Sequence, residues 1–217
     1  NMDPLHFCIA VVPIATYLML IGGINLRSTA FVTTGVRDLA ALSLAIAGLM
    51  VAGPMELFLP ESVASLIGGW VWAPLIAFYL IVVVLVLLLA RPRLIIYNAS
   101  LERLRPILKQ VVHDLDSEAR WAGDSVILPS VGVHMAIDAY PGIRNITLAS
   151  VGPEQDLNGW TELRVRLAEV LAEAPQPPNY QGVSFLVLSM VMLLAVTYSL
   201  FTGRQEIAQA FQQMMRL

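Results

Sequence analysis

Few residues in this chain have the type and spacing that chemistry requires. Glu56 stands out, because it follows an apolar run that begins at Leu39 and precedes Leu57-Phe58-Leu59. A carboxylate held inside a bilayer is costly and tends to serve ion binding or proton movement. Counted from Leu39 at ~1.5 Å per residue, however, Glu56 lies about 27 Å along a helix, close to the interface of a ~30 Å hydrocarbon core. With Pro54 ending the helix, the expected place for Glu56 is the headgroup layer. His6 and Cys8, with Asp3 close by, lie two apart on one helix and so do not face the same way. His113-Asp114-Leu115-Asp116 falls on the exposed side of a helical pattern and reads as a solvated face, not a ligand set. The single cysteine, Cys8, sits in an apolar run and is expected to be a small buried hydrophobe.

The arrangements that carry catalysis are missing. There is no Gly-x-Ser-x-Gly elbow, no G-x-G-x-x-G or P-loop cradle, and no histidine spacing that suits a metal. No catalytic residue, cofactor or metal is therefore expected, and the chain reads as something other than an enzyme. A net charge of −3 without a basic block excludes nucleic-acid binding, which needs a clustered positive face.

The elements that hold these residues are mostly membrane-like. Apolar residues make up 57% of the chain and charged ones 13%, against about 25% charged in an ordinary soluble domain. The clearest stretch is 70–90, charge-free, opening on Trp70 and Trp72 and closing against Arg91-Pro92-Arg93. Spans are expected at 5–26, 39–59, 70–90 and 181–203. The first contains Pro13 and shows neither the charged region nor the cleavage site of a signal peptide, so it is expected to stay in place. In the second, Ala41, Ala45, Gly48 and Ala52 recur three or four apart and line one helical face. Such a stripe lets backbones approach closely in lipid, either within one chain or between copies. This helix is expected at the centre of the bundle.

Most of the charge falls in 91–178, where the hydrophobic period becomes that of a small α/β domain. Strands are expected at Leu94–Tyr97, Asp124–Leu128, Gly132–Tyr140 and Asn145–Val151, with a turn at Pro141-Gly142. One helix is expected after Ser100, kinked or restarted at Pro106, and another is expected to be capped by Asn158 with Trp160, Leu163, Leu167 and Leu171 on one face. The fold class is thus a membrane all-α bundle of four transmembrane helices (1–90 and 179–217), with an α/β (α+β) domain, 91–178, inserted between the third and fourth spans. The tail beyond 203 reads as an amphipathic interfacial helix.

Arg27, Arg37, Arg91, Arg93, Arg103 and Arg105 cluster on one side of the spans, with Glu56 and Glu61 on the other. By the positive-inside rule the N-terminus lies outside and 91–178 is cytoplasmic, in a bacterial inner (plasma) membrane. The expected function is that of a non-enzymatic integral membrane protein presenting its domain for partner binding or self-assembly. The alternative is a homo-oligomeric channel or transport-associated subunit with Glu56 near its outer mouth. The expected partners are the lipid bilayer, further copies of the chain and an unidentified protein.

Overall fold

A charge-free run surrounded by apolar medium can satisfy its backbone only by bonding within itself, which favours helices. The computed structural model describes residues 4–55, 72–140, 144–175 and 177–203. In chain order its elements begin with α1 (Pro4–Asn25), β1 (Phe31–Thr34), α2 (Gly35–Met50) and α3 (Trp72–Leu89). Then come β2 (Arg93–Tyr97), α4 (Leu101–Leu115), β3 (Arg120–Ala122) and β4 (Ser125–Leu128). The last are β5 (Val133–Tyr140), β6 (Asn145–Ser150), α5 (Leu157–Glu173) and α6 (Gln181–Thr202). The described residues form two units, one holding 4–20, 40–55, 72–88 and 185–203, the other Ile21–Leu39 with Leu89–Ser184.

Among the described residues, three helices are long and apolar enough to cross a membrane: Pro4–Asn25, Gly35–Gly53 and Gln181–Thr202. The described residues therefore hold three such helices, not the four expected. The third expected span appears as α3, which counts as a shorter apolar helix over Ala73–Leu89, and its expected opening at Trp70 lies outside the described residues. Helix contacts in the first unit centre on backbone carbonyls. Pro13 has no N–H to give the carbonyl of Ile9, and that carbonyl faces Gly48 so closely that a Cβ there would lie 1.9 Å from its oxygen. On another side of α1, the Ser189 hydroxyl of α6 donates to the Ala15 carbonyl at 2.8 Å. The Tyr79 hydroxyl of α3 donates to the Ser43 carbonyl of α2. Contacts thus run α6, α1, α2, α3, and α2 shares the middle with α1.

The second unit is a six-stranded sheet in the order β1-β2-β6-β5-β4-β3, antiparallel throughout. Alternation along the strands puts one apolar set on one face. Leu94, Ile96, Val126, Leu128, Val133, Met135, Ile146 and Leu148 point to a core closed by Leu104, Leu108 and Val112 of α4 and Trp160, Leu163, Leu167 and Leu171 of α5. Gly159 lets α5 lie against the sheet's loops, since a Cβ there would come within 2.1 Å of the Val131 carbonyl.

Four local expectations change. The connection between α1 and α2, which falls between the first two expected spans and in which no strand was expected, supplies edge strand β1, with Val32 opposite Ile96 and Thr34 opposite Leu94. A short β3 pairs with β4 at the other edge. Helix α4 runs unbroken through Pro106, whose exposed side leaves the freed Glu102 carbonyl open to water. The cap of α5 is Asp156, which accepts from the backbone N–H of Asn158 at 2.8 Å, so Asn158 is the donor and not the cap.

Candidate functional site

The face of the sheet turned away from α4 and α5 is the surface on which a function could be built. By register, Phe31, Tyr97, Asn145 and Tyr140 form one row across β1, β2, β6 and β5. Thr33, Ile95, Thr147 and Asp138 form the next, followed by Arg93, Ala149, Ala136 and Ser125. The start of α2 covers the β1–β2 end. Tyr97 donates its hydroxyl to Asp38 in the first turn of α2. The Arg93 side chain lies across Gly35, where a Cβ would come within 2.2 Å of its Cγ. Thr33 and Ile95 are buried as a result. Toward β5 and β4 the face opens: Tyr140 is 57% exposed and Ile127 38%, around the small residues Ala136, Thr147 and Ala149.

The rim of this unit is built by the segment between β6 and α5, held by one side chain. Gln155 donates from Nε2 to the carbonyls of His134 (3.0 Å) and Val151 (2.8 Å). Its Oε1 accepts from the Trp160 indole at 2.8 Å and from the His134 backbone N–H at 3.4 Å. An amide is the one side chain that can give two hydrogens on one side and accept two on the other. The rim borders two grooves. One of about 560 Å³ runs past Arg91, Pro92, Ser150 and Leu157. The other, about 850 Å³ and open, is lined by His134, Glu154 and Asp156 among others.

Buried polar groups elsewhere in the unit hold its turns. Asp116 ends α4 and is 3% exposed. Burial favours its neutral form, but the Ser130 and Glu118 backbone N–H groups and the Ser130 hydroxyl all donate to its carboxylate, and together they hold it below the usual carboxylate range. Asn179 and Asn25 are both buried, and the Asn179 side-chain amide donates to Asn25 Oδ1 at 3.2 Å while its backbone N–H donates to the Asn25 carbonyl. Asn98 donates to the Arg27 carbonyl at 2.7 Å. Three asparagines thus fasten the segment that follows α1 to the end of β2 and the start of α6.

Of the residues singled out in the sequence, Glu56 lies outside the described residues, as do Asp3, Glu61, the Pro141-Gly142 turn and the tail beyond 203. Ala45 and Gly48 are buried, Ala52 is half-buried and Ala41 is exposed. Ala41, Ala45 and Gly48 line a groove of about 360 Å³ with Pro13, Thr16 and Leu20 of α1. Among the described residues, no three His, Cys, Asp or Glu side chains come together as a metal would require. His113 and Asp114 are exposed, as expected of a solvated face, but Asp116 is not. Sequence reasoning placed Asp116 on a solvated face and passed over Gln155, because their partners come from distant parts of the chain that no local pattern announces. No family model, curated protein or solved structure matches this chain.

Proposed function

We propose that this chain is a non-enzymatic integral membrane protein of a bacterial inner membrane, and that its cytoplasmic α/β domain presents the open sheet face to a second copy or another protein. The observation that carries the reading is the uneven covering of the sheet: two helices close one face, while on the other, beyond the part that α2 covers, Tyr140, Asp138 and Ile127 stay exposed around Ala136, Thr147 and Ala149. Small residues such as Ala136 and Ala149 let another surface come close without displacing side chains, and an exposed aromatic residue supplies contact area at low entropic cost. The engagement of Asp116, Gln155 and the asparagines in fixing turns supports a structural role for the domain's buried polar groups. The pairing of β1 with β2 supports the topology, because it brings Arg27 and Arg37 into the same unit as Arg91, Arg93, Arg103 and Arg105.

The test uses full-length protein in mild detergent, weighed by native mass spectrometry. Wild type is expected to hold a second copy or a stoichiometric protein partner. The A136R/T147R variant, with two long cations on the open face, is expected to be monomeric with an unchanged circular dichroism spectrum. An assembly that survives both substitutions, or a wild type that is monomeric and partnerless, refutes the reading.

A further inference from the structure

Resting on the membrane reading above, we infer that the rim of the domain around Arg91 docks on the bilayer surface and holds the phosphate of anionic lipid headgroups. The fold brings three arginines to the same end of the domain. Arg91 follows directly on α3, and Arg93, at the start of β2, is laid across Gly35 at the start of α2, whose first turn carries Arg37. All three are exposed, and neither ion pair formed among the described residues, Arg105 with Asp124 and Arg166 with Glu169, involves them. Of the neighbouring carboxylates, Asp38 accepts the Tyr97 hydroxyl, and Glu154 is exposed on the adjacent groove.

The apolar half of the surface is present too. The 560 Å³ groove beside Arg91 is walled by Pro153 and Leu157, and Leu157 is 68% exposed and nearby Val151 47%. Exposed aliphatic side chains beside unpaired guanidinium groups match the boundary where headgroups meet acyl chains, since a guanidinium binds phosphate through two parallel N–H groups while the apolar side chains enter the lipid.

The test is native mass spectrometry of full-length protein released from nanodiscs made with equal amounts of phosphatidylglycerol and phosphatidylcholine. Wild type is expected to retain phosphatidylglycerol preferentially, by about fivefold for each arginine engaged. R37Q/R91Q/R93Q is expected to retain the two lipids equally, whereas R120Q/R164Q/R166Q, with the same change in charge, keeps the wild-type preference. L157Q, which leaves the arginines in place, is expected to lower retention with an unchanged circular dichroism spectrum. Equal retention by wild type, a preference that survives R37Q/R91Q/R93Q, or displacement of the lipid by millimolar inorganic phosphate overturns the proposal. Carbonate washing of membranes separates the two readings: a wild type that is washed off removes the membrane assignment, and one that stays but shows no preference removes only the headgroup site.

Discussion

Gln155→Glu changes one atom type and almost no volume, which makes it a sharp probe of how the rim is held. In wild type the Gln155 amide nitrogen gives hydrogens to the carbonyls of His134 and Val151 while its oxygen accepts from the Trp160 indole. The substitution keeps an acceptor for Trp160 but turns an oxygen toward two carbonyl oxygens. Each lost bond is worth about 1 kcal/mol net, so the expected cost is about 2 kcal/mol at neutral pH. For a domain of this size that is a fall in melting temperature of about 10 °C. The pH dependence follows from the same geometry. The introduced carboxyl is half-buried and faces acceptors, so its folded pKa is raised above its unfolded value of about 4.3. Above the folded pKa the penalty is felt in full. As pH falls through that value the protonated group regains one hydrogen to donate, and the gap to wild type narrows. The assay is thermal unfolding of the full chain in detergent from about pH 8 to about pH 4, followed by circular dichroism and tryptophan emission. Equal melting temperatures at neutral pH, or a deficit that does not change with pH, would refute the bonding scheme.

Asp116→Asn is expected to lower the melting temperature at neutral pH, because its NH2 must meet one of the Ser130 or Glu118 donors. The carboxyl of Asp116 is depressed in the folded chain, so its stabilisation is present above the unfolded value of about 3.9 and lost as pH falls through the lower folded one; the gap between the variant and wild type should close in acid, and a constant gap would be inconsistent with this. Gly48→Ala puts a Cβ 1.9 Å from the Ile9 carbonyl oxygen, and since a backbone must move, a loss of about 1–3 kcal/mol is expected in detergent melts. Pro13→Ala returns a helical donor to that carbonyl, so the double variant should cost less than the sum of the two, and strict additivity would disprove the contact.

How much of this was legible in the sequence depends on how local the cause is. The alternation of Val133, Met135 and Ile137 against His134, Ala136 and Asp138 showed β5, and the spacing of Trp160, Leu163, Leu167 and Leu171 showed the buried face of α5, because a single element's period encodes its own burial. The strand Phe31-Val32-Thr33-Thr34 has strong strand formers, but four residues between two long apolar helices read as a connection. Asp116 looked like part of a solvated helix face until the chain brought Ser130 back to it. Gln155 carries no pattern at all, and only the convergence of β5, the rim segment and α5 gives it four hydrogen bonds to three residues.

The place of β1 changes what kind of object the domain is. A block confined to 91–178 would be an insert that folds by itself and leaves the Arg93–Tyr97 edge open to any other strand. Here that edge is closed by residues synthesised some sixty positions earlier, between the first two membrane-spanning candidates. Ala30 and Val32 of this connection pack against the same core as Leu94 and Ile96. The sheet is thus completed by two stretches of chain separated by α2 and α3, and the domain cannot reach its final form before β2 has emerged to meet β1. Closing so long a loop costs entropy that only the finished pairing and core repay. The three buried asparagines follow from the same arrangement: the segment after α1 must be held against β2 and the start of α6 for β1 to keep its register, and side-chain amides can bind backbone there without burying a charge.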